Sequence, residues 1–324
     1  MKKLQWISLA ALCLTTILSN ACGQKESWEE RAAARFKPLT DEQKRQITRA
    51  APKEATAEPK KDRKILVFWR CEGFLHTSIP SGNFALQAMA SSTKAFTVDL
   101  ADDYSVFTKE NLKQYDGIVF NNTTHLKLPS DSHRAAIKDF IMSGKGIAGI
   151  HAASDNFYEW EDGAAIMGGQ FCGHPWGGGG TWAFKLDDPS HPLNNAFHGR
   201  GFWHKDEIYQ YCPDTYQGEE NLRILVSLDM SKPSTSDPLF NEKFAKHNAK
   251  FKAGMREVPV SWVSTHGKGR LFNTNFGHNE STYTKPVMMR QLLDGIQYAI
   301  GDLEADATPT AKAKNLSPAL APEL

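Results

Sequence analysis

The sequence has few cysteines, no excess of charge of either sign and no hydrophobic run of the length typical of a membrane-spanning helix. Its five cysteines form no CxxC pair, which argues against a zinc site built from cysteines. Lysine and arginine number 38 against 37 aspartates and glutamates, so the composition does not predict a nucleic-acid partner. With 324 residues, 40% of them hydrophobic, the chain can bury one substantial core, and we expect one large domain.

The N-terminus has the pattern of an export signal. Two lysines precede an apolar stretch at residues 6–18, which is short for a transmembrane helix. We therefore expect residues 1–21 to be a signal peptide and the protein to be exported to the periplasm or the cell surface. Cys22 is a candidate for lipidation, which would anchor the protein in a membrane. Ordinary signal-peptidase cleavage after Ala21 is the alternative.

Three cysteines remain for the mature protein: Cys71, Cys172 and Cys212. An oxidising compartment favours at most one disulfide and one unpaired thiol among them. The sequence does not indicate which two residues pair.

Both ends of the mature chain are rich in charged residues, alanine and proline. Residues 22–63 contain a weakly helical stretch at 40–50 but few residues able to build a core, so we expect a disordered tether. Residues 304–324 have a similar composition and are expected to be a disordered tail. The folded domain is predicted over residues 64–303.

Within this domain, short apolar runs alternate with amphipathic stretches, which is typical of a parallel sheet covered by helices on both faces. The predicted strands of the first half are 64–69, 96–100, 116–121 and 146–151, and the predicted helices are 83–92, 109–114 and 131–143. After residue 168 the apolar runs follow each other without long helices, at 182–186, 207–211, 222–228 and 258–263. We expect these to be antiparallel additions to the sheet, covered by a final helix at 285–301.

The most informative segment is the buried strand that runs from Gly146 into the small-residue turn His151-Ala-Ala-Ser. A side chain at such an elbow projects into the crevice at the carboxyl end of the sheet. Several further motifs follow in order. They are Gly-Gly-x-Phe-x-x-His-Pro at 168–175, His-Pro at 191–192, Asp-Glu-x-Tyr at 206–209, Gly-x-Gly-Arg at 267–270 and Gly-His at 277–278.

Taken together, these motifs resemble the ThuA-like (trehalose-utilisation) family from about residue 65 to 300. The family is a branch of the class I glutamine amidotransferase-like superfamily, so the resemblance implies an α/β, flavodoxin-like three-layer sandwich. Its central sheet would be mostly parallel, with antiparallel additions. The superfamily's elbow cysteine is replaced by His151, and an imidazole cannot serve as the thiolate nucleophile of glutamine hydrolysis. The family's association with trehalose utilisation implies instead an activity on a carbohydrate, such as a glycoside or a 3-keto sugar.

The resemblance also implies a site of histidines and carboxylates. We take His151, His174 and His204 as candidate ligands of a divalent metal, with Zn²⁺ as the first choice, because imidazoles at strand ends can bind such an ion. His151, Asp206 and Glu207 are the candidate catalytic residues, with a carboxylate moving protons. The HExxH spacing is absent, so the metal prediction comes through the resemblance alone.

Five residues are candidates for contacting a sugar: His76, Asn121, Trp176, Trp203 and His278. Aromatic faces and polar donors suit carbohydrate rings, although tryptophans commonly serve only to pack a core and Asn121 could cap a turn. The four glycines at 177–180 could form a lid or a close backbone approach. The alternative function is a non-catalytic sugar-binding module, and the sequence does not predict an oligomeric state.

Overall fold

The computed structural model describes residues 26–240 and 257–323. The predicted signal peptide and the candidate lipidation site Cys22 lie outside these residues. The strands are β1 Lys64–Phe68, β2 Thr97–Ala101, β3 Gly117–Asn121, β4 Gly146–Ile150, β5 Phe171–Trp176, β6 Thr181–Leu186, β7 Phe202–Lys205, β8 Ile208–Tyr211, β9 Arg223–Leu228, β10 Pro259–His266 and β11 Gly269–Thr274. The helices are α1 Trp28–Arg35, α2 Asp41–Ala50, α3 Ile79–Thr93, α4 Lys109–Leu112, α5 Asp131–Met142, α6 Glu161–Met167, α7 Pro233–Phe240 and α8 Pro286–Ala299.

The central sheet has nine strands in the order β2-β1-β3-β4-β11-β10-β9-β6-β7. The first five of these are parallel, and the remaining strands extend the sheet in antiparallel fashion. β5 and β8 form a separate antiparallel pair. This mixed sheet confirms the predicted fold class. Strands of the second half of the chain were expected to be antiparallel additions, but β11 is parallel to β4. A tight turn at Gly267 folds β11 back from β10 and places it beside β4.

Side chains alternate between the two faces of the sheet, as the strand period requires. On β1, Ile65 and Val67 join the core beneath α3 and α8, whereas Leu66 and Phe68 join the core beneath α5 and α6. All four are almost completely buried. Burial of such a side chain stabilises the fold by about 1.5–3 kcal/mol. The result is the three-layer sandwich, with one apolar core on each side of the sheet.

The carboxyl ends of four parallel strands meet at one edge of the sheet. The registers place Phe68 of β1 beside Phe120 of β3, and Ile150 of β4 beside both Asn121 of β3 and Thr274 of β11. The loops that follow β1, β3, β4 and β11 therefore emerge side by side. This edge is the usual place for a ligand site in an open α/β sheet.

The prediction of a disordered tether over 22–63 is wrong for residues 26–63. Ser27 and Thr40 begin α1 and α2 with capping boxes, in which each cap and the residue three positions later exchange hydrogen bonds. Trp28 packs on Trp69 with ring centres 5.4 Å apart, and Ile47 is 1% exposed against the main core. The segment has too few apolar residues for a core of its own, but it needs none because it docks on a core that the domain already provides.

The predicted disordered tail at 304–324 is also ordered in its described part, 304–323. Ala319 exchanges two backbone hydrogen bonds with Leu186 at the end of β6, each of 2.9 Å. The indole N–H of Trp203 donates to the carbonyl of Pro322 over 2.9 Å. Tail and sheet satisfy each other's backbone groups, a form of stabilisation that composition does not reveal.

Cys172 and Cys212 form a disulfide that links β5 to the end of β8. Cys71 is buried and unpaired, so one disulfide and one free thiol occur, as expected. None of the helices within residues 26–240 and 257–323 has the length and apolar character needed to cross a bilayer.

Candidate functional site

Four side chains converge at the carboxyl edge of the sheet: His76, His151, Glu207 and His278. One possible ligand atom from each lies within 4.8 Å of the others. His76 lies on the loop after β1, His151 directly follows β4, and His278 lies on the loop after β11. Glu207 comes from the short link between β7 and β8. We call these four residues the histidine–glutamate cluster.

His151 occupies the elbow predicted from the sequence. Its φ of 48° lies in the left-handed region, which is uncommon for a residue with a side chain, and its ring is fully buried. Nδ1 lies 2.8 Å from the backbone carbonyl of Asn275. Because a carbonyl only accepts, Nδ1 carries the proton in the neutral ring and Nε2 keeps its lone pair. This lone pair faces the cluster.

Glu207 lies at the centre of the cluster. Its Oε1 is 3.1 Å from Nδ1 of His278 and 3.7 Å from Nε2 of His151, and its Oε2 is 3.3 Å from Nδ1 of His174. Burial alone would raise the pKa of Glu207, but the electrostatic effect of the facing His151 and His278 rings outweighs it and holds this pKa well below the ordinary value. The carboxylate is therefore ionised at neutral pH.

The pKa values of two imidazoles of the cluster are shifted in opposite directions. Burial, together with the charges of His151 and His278, lowers the pKa of His76 well below its ordinary value. Burial also opposes the charge of His278, but Glu207 outweighs it and raises the pKa of His278. Nδ1 of His76 is buried and has no hydrogen-bond partner among the described residues, while Nε2 lies 3.5 Å from the hydroxyl of Tyr209. An unsatisfied imidazole nitrogen is available to a ligand.

The cluster could hold a divalent metal ion. Three imidazoles and one carboxylate form a donor set that suits Zn²⁺. Zinc–nitrogen bonds of roughly 2.0–2.1 Å in a tetrahedron separate neighbouring ligand atoms by roughly 3.3–3.4 Å. The separations among Nε2 of His151, Nδ1 of His278 and Oε1 of Glu207 are 3.1, 3.3 and 3.7 Å, which bracket that spacing.

The structure brings together only part of the predicted metal set of His151, His174 and His204. His174 is half-exposed at the mouth of the cluster, where it contacts the outer oxygen of Glu207. His204 lies outside the cluster, with Nε2 3.0 Å from the hydroxyl of Thr282. That hydroxyl donates its one proton to Asp206, so Nε2 of His204 must be the donor to it. His204 is thus tied into the support of a neighbouring loop.

Asp206 does not face the cluster, unlike its neighbour Glu207. Its carboxylate is fully buried and accepts hydrogen bonds of 2.8 Å from the backbone N–H groups of Gly277 and Asn279 and from the hydroxyl of Thr282. Burial would raise the pKa of Asp206, but nearby His204 and His151 and the Gly277 N–H lower it. The predicted proton-transfer role does not match this position. Asp206 instead fixes the loop that presents His278.

The loop that presents His76 is held from the opposite side by α1. The guanidinium of Arg31 donates to the carbonyls of Cys71, Glu72 and Gly73 over 3.4, 3.4 and 2.6 Å. Nε of Arg35 donates to the carbonyl of Leu75 over 2.9 Å. Sequence reasoning missed both arginines because it assigned their segment to a tether.

Of the predicted sugar contacts, His76 and His278 belong to the cluster and three others do not. Asn121 is fully buried and donates to the carbonyl of Ile79 at the start of α3. Trp176 is also fully buried, and its indole N–H donates to the carbonyl of Thr235. Trp203 lies under the C-terminal tail. These three side chains are used in packing and in fixing backbone, which large aromatic and amide groups commonly do.

Two features beside the cluster were only partly visible in the sequence. Phe74 is 57% exposed and its ring lies 4.8 Å from that of His76, which gives the cluster an aromatic rim. Gly178, in the run of four glycines, passes so near the cluster that a Cβ there would lie 2.8 Å from the ring of His278. The predicted close backbone approach therefore occurs, and it is to a cluster histidine.

Comparison with known proteins gives one family and a fold. A family model described as trehalose utilisation (ThuA) matches residues 64–299. The structure resembles a ThuA-like protein from Bacteroides uniformis at 20% identity and a TM-score of 0.56, over 79% of this chain and 99% of that one. It also resembles a ThuA-like protein from Parabacteroides merdae at 19% identity and a TM-score of 0.53, over 74% and 91% of the two chains. At identities of 19–20%, the similarity to these structures shows a shared fold and does not show a shared function. None of the curated proteins matches the chain.

Proposed function

Because the chain belongs to the ThuA (trehalose utilisation) family, we propose that it is an exported enzyme that processes a carbohydrate at a divalent metal centre. The observation that carries the proposal is the convergence of His76, His151, Glu207 and His278 from four separate parts of the chain. A buried histidine usually forms hydrogen bonds with backbone or water. Three histidines around one carboxylate are instead typical of a functional site.

Zn²⁺ is the first candidate for the metal. When bound, such an ion polarises a carbonyl or hydroxyl oxygen of a ligand. Asn275 orients the His151 ring so that Nε2 points inward, as a carbonyl outside the coordination shell does in many metal sites. His174, half-exposed and 3.3 Å from the outer oxygen of Glu207, is placed to exchange protons with bound substrate.

A carbohydrate is the proposed substrate, either a glycoside or a 3-keto sugar. The family description supports sugar catabolism, and the exposed ring of Phe74 beside the cluster suits the face of a pyranose. The second candidate function is a non-catalytic sugar-binding module. The replacement of the superfamily's elbow cysteine by His151 favours it, because the ancestral reaction has lost its nucleophile.

Zinc titration of the metal-free full-length mature protein by calorimetry tests the metal centre. We expect one zinc ion per chain and a loss of affinity of about a hundredfold or more in His151→Ala, His278→Ala and Glu207→Gln, since removal of supporting groups alone costs 10–100-fold. His133→Ala, on the outer side of α5, is the matched control and should bind zinc normally. Equal affinity in wild type and Glu207→Gln, or full activity without metal, would contradict the proposal.

Turnover of a panel of glycosides and 3-keto-glucosides separates the two functions. Product formation that requires zinc and is lost in Glu207→Gln supports the enzyme. Sugar binding in calorimetry with no product from any compound supports the binding module.

Export and a lipid anchor on Cys22 remain part of the proposal. They rest on the N-terminal sequence alone. Mass spectrometry of the mature protein from its native membrane tests them, because a lipidated Cys22 adds the mass of its acyl chains, whereas cleavage without lipidation leaves an unmodified cysteine.

A further inference from the structure

A pocket of about 310 Å³ lies between the loops that follow β3 and β4. We call it the distal pocket. Its floor consists of the buried side chains of Leu126, Leu128 and Phe157, and Trp160 and Tyr158 form its aromatic wall. Because β3 and β4 are parallel neighbours, the pocket opens at the same edge of the sheet as the histidine–glutamate cluster.

A short series of contacts links the distal pocket to the cluster. The buried carboxylate of Asp155 accepts a hydrogen bond from the hydroxyl of Tyr158 and lies 3.3 Å from Nε2 of His125. The same Tyr158 hydroxyl is 3.4 Å from the carbonyl of Phe171, at the start of the strand that carries His174. His174 in turn contacts Glu207. The pocket and the cluster are thus connected through Tyr158, the first residues of β5 and His174.

The backbone around the pocket is held in an uncommon conformation. Seven non-glycine residues of the described chain have positive φ, and four of them lie on these two loops: Asn122, His125, His151 and Phe157. Each such residue costs on the order of 1–2 kcal/mol, which the surrounding structure must offset. Strain of this kind concentrates at ligand sites, and here it shapes both the elbow of the cluster and the walls of the pocket.

The aromatic wall is built in advance of any ligand. Trp160 packs edge-on against Phe157 with ring centres 5.1 Å apart, and it lies so close to Gly163 that a Cβ there would be 2.3 Å from its ring. A larger residue at 163 would displace the indole. The ring of Tyr158, 46% exposed, completes the wall.

We infer that the distal pocket binds the second sugar ring of a disaccharide-sized glycoside whose first ring lies at the cluster. The inference rests on the proposed carbohydrate function and specifies the size of its substrate. The volume lies at the lower end of the range for small-ligand pockets, roughly 300–1,000 Å³, which suits one ring. Lys127, Arg134 and Glu159 at the rim place hydrogen-bonding groups around an aromatic and apolar interior, as sugar hydroxyls require.

Calorimetric titration of the full-length mature protein with glucose, trehalose and cellobiose tests the inference. We expect at least one disaccharide to bind wild type about tenfold more tightly than glucose, since an aromatic contact contributes about 0.5–1.5 kcal/mol and 1.4 kcal/mol is tenfold. Trp160→Ala should remove this preference and leave the affinity for glucose unchanged. Trp203→Ala, which truncates a tryptophan beneath the C-terminal tail, is the matched control.

Tyr158→Ala gives a second reading in case Trp160→Ala fails to fold, because the Tyr158 ring is partly exposed. Disaccharide affinity that is the same in wild type and both variants, or a loss that is equal for glucose and disaccharides, would overturn the distal pocket while leaving the carbohydrate function intact. Absence of binding of all three sugars to wild type would overturn this occupant of the pocket, whereas the carbohydrate function itself is tested separately by the turnover panel of glycosides and 3-keto-glucosides.

Discussion

Two loops each bring one histidine to Glu207, and they are held in place in different ways. The loop after β11 carries His278 and is fixed from inside the protein by the buried carboxylate of Asp206. The loop after β1 carries His76 and is fixed from outside by Arg31 and Arg35 of α1. One anchor accepts from backbone N–H groups, and the other donates to backbone carbonyls.

The two anchors lie on different sides of the boundary of the family match. Asp206 lies within residues 64–299, which the family model matches, and follows directly after β7. Arg31 lies on α1, outside the matched region. A buried anchor has no water to replace a lost partner, whereas a half-exposed one does. The inner loop should therefore be the more sensitive of the two.

The largest effect is expected from Asp206→Asn. The carboxylate accepts from the N–H groups of Gly277 and Asn279 and from the hydroxyl of Thr282. In the variant, an NH₂ group replaces one of the two accepting oxygens, so at least one of these buried donors loses its acceptor. We expect the free energy of unfolding to fall by about 3–5 kcal/mol and zinc affinity to fall by about a hundredfold. Urea unfolding and zinc calorimetry measure the two. Asp131→Asn, on the exposed start of α5, is the control. Normal zinc affinity in Asp206→Asn would show that the inner loop does not need this anchor.

Arg31→Ala should have a smaller effect on zinc affinity, toward the lower end of the 10–100-fold range for supporting residues. Three carbonyls lose a charged donor, but Glu72 and Gly73 are partly exposed, so their carbonyls can bond water instead. Arg45→Ala removes an arginine that, among the residues the structure describes, pairs with exposed Glu42 on α2, and it should leave zinc binding unchanged. An effect of Arg31→Ala larger than that of Asp206→Asn would reverse the comparison.

Cys71 gives a readout of the outer loop that needs no metal. Its thiol is fully buried, and burial raises its pKa to about 12, so alkylation at neutral pH requires the loop to open. Arg31→Ala should speed the alkylation of Cys71 by iodoacetamide, and Arg45→Ala should not. Equal rates in all three proteins would show that α1 does not hold the loop.

The pKa values of His278 and His76 should be shifted in opposite directions from the ordinary histidine value. Glu207 raises the pKa of His278, so His278 is protonated below a pH that lies above the ordinary value of about 6.5. Its charge stabilises the fold at low pH, and this stabilisation is lost as pH rises through that pKa. Below it, a proton competes with zinc, and affinity should fall about tenfold per pH unit.

The lowered pKa of His76 keeps its ring neutral over the same range. NMR titration of the imidazole resonances of the metal-free protein distinguishes the two rings. A His76 that takes up a proton before His278 as pH is lowered would contradict the assignment of protonation states.

Ser78→Ala is the mildest change. The Ser78 hydroxyl donates to the carbonyl of Gly277 over 2.8 Å and so joins the two loops directly. We expect a loss of about 1 kcal/mol of stability and about a fivefold loss of zinc affinity. In a double-mutant cycle, the effects of Arg31→Ala and Asp206→Asn should become additive once Ser78 is replaced. Additive effects with Ser78 present would show that the loops act independently.

Much of the fold could be predicted because strand patterns are local. The runs at 64–69, 116–121 and 146–151 are apolar throughout, which indicates strands buried on both faces, and their order places their ends at one edge. His151 could be placed at the elbow for the same reason. β11 was missed because its position depends on a parallel pairing with β4, more than a hundred residues away in the chain.

The composition of the site could be predicted only in part. Asp206 and Glu207 are adjacent, and neighbouring side chains point in different directions, so the sequence gives no means of deciding which one faces the histidines. The sequence also could not decide whether His204 or His278 joins the cluster. The structure ties His204 and Asp206 to the hydroxyl of Thr282, and His278 faces Glu207 instead. Contacts between distant segments set these roles, and a single sequence does not record them.

The docking of α1 limits how far the domain could move from a membrane. If Cys22 is the lipid anchor, only residues 23–27 separate it from Trp28, and five residues span at most about 20 Å. The start of α1 would then lie within about 20 Å of the bilayer surface. Long polysaccharides would collide with the lipid headgroups, and small soluble glycosides would diffuse in freely.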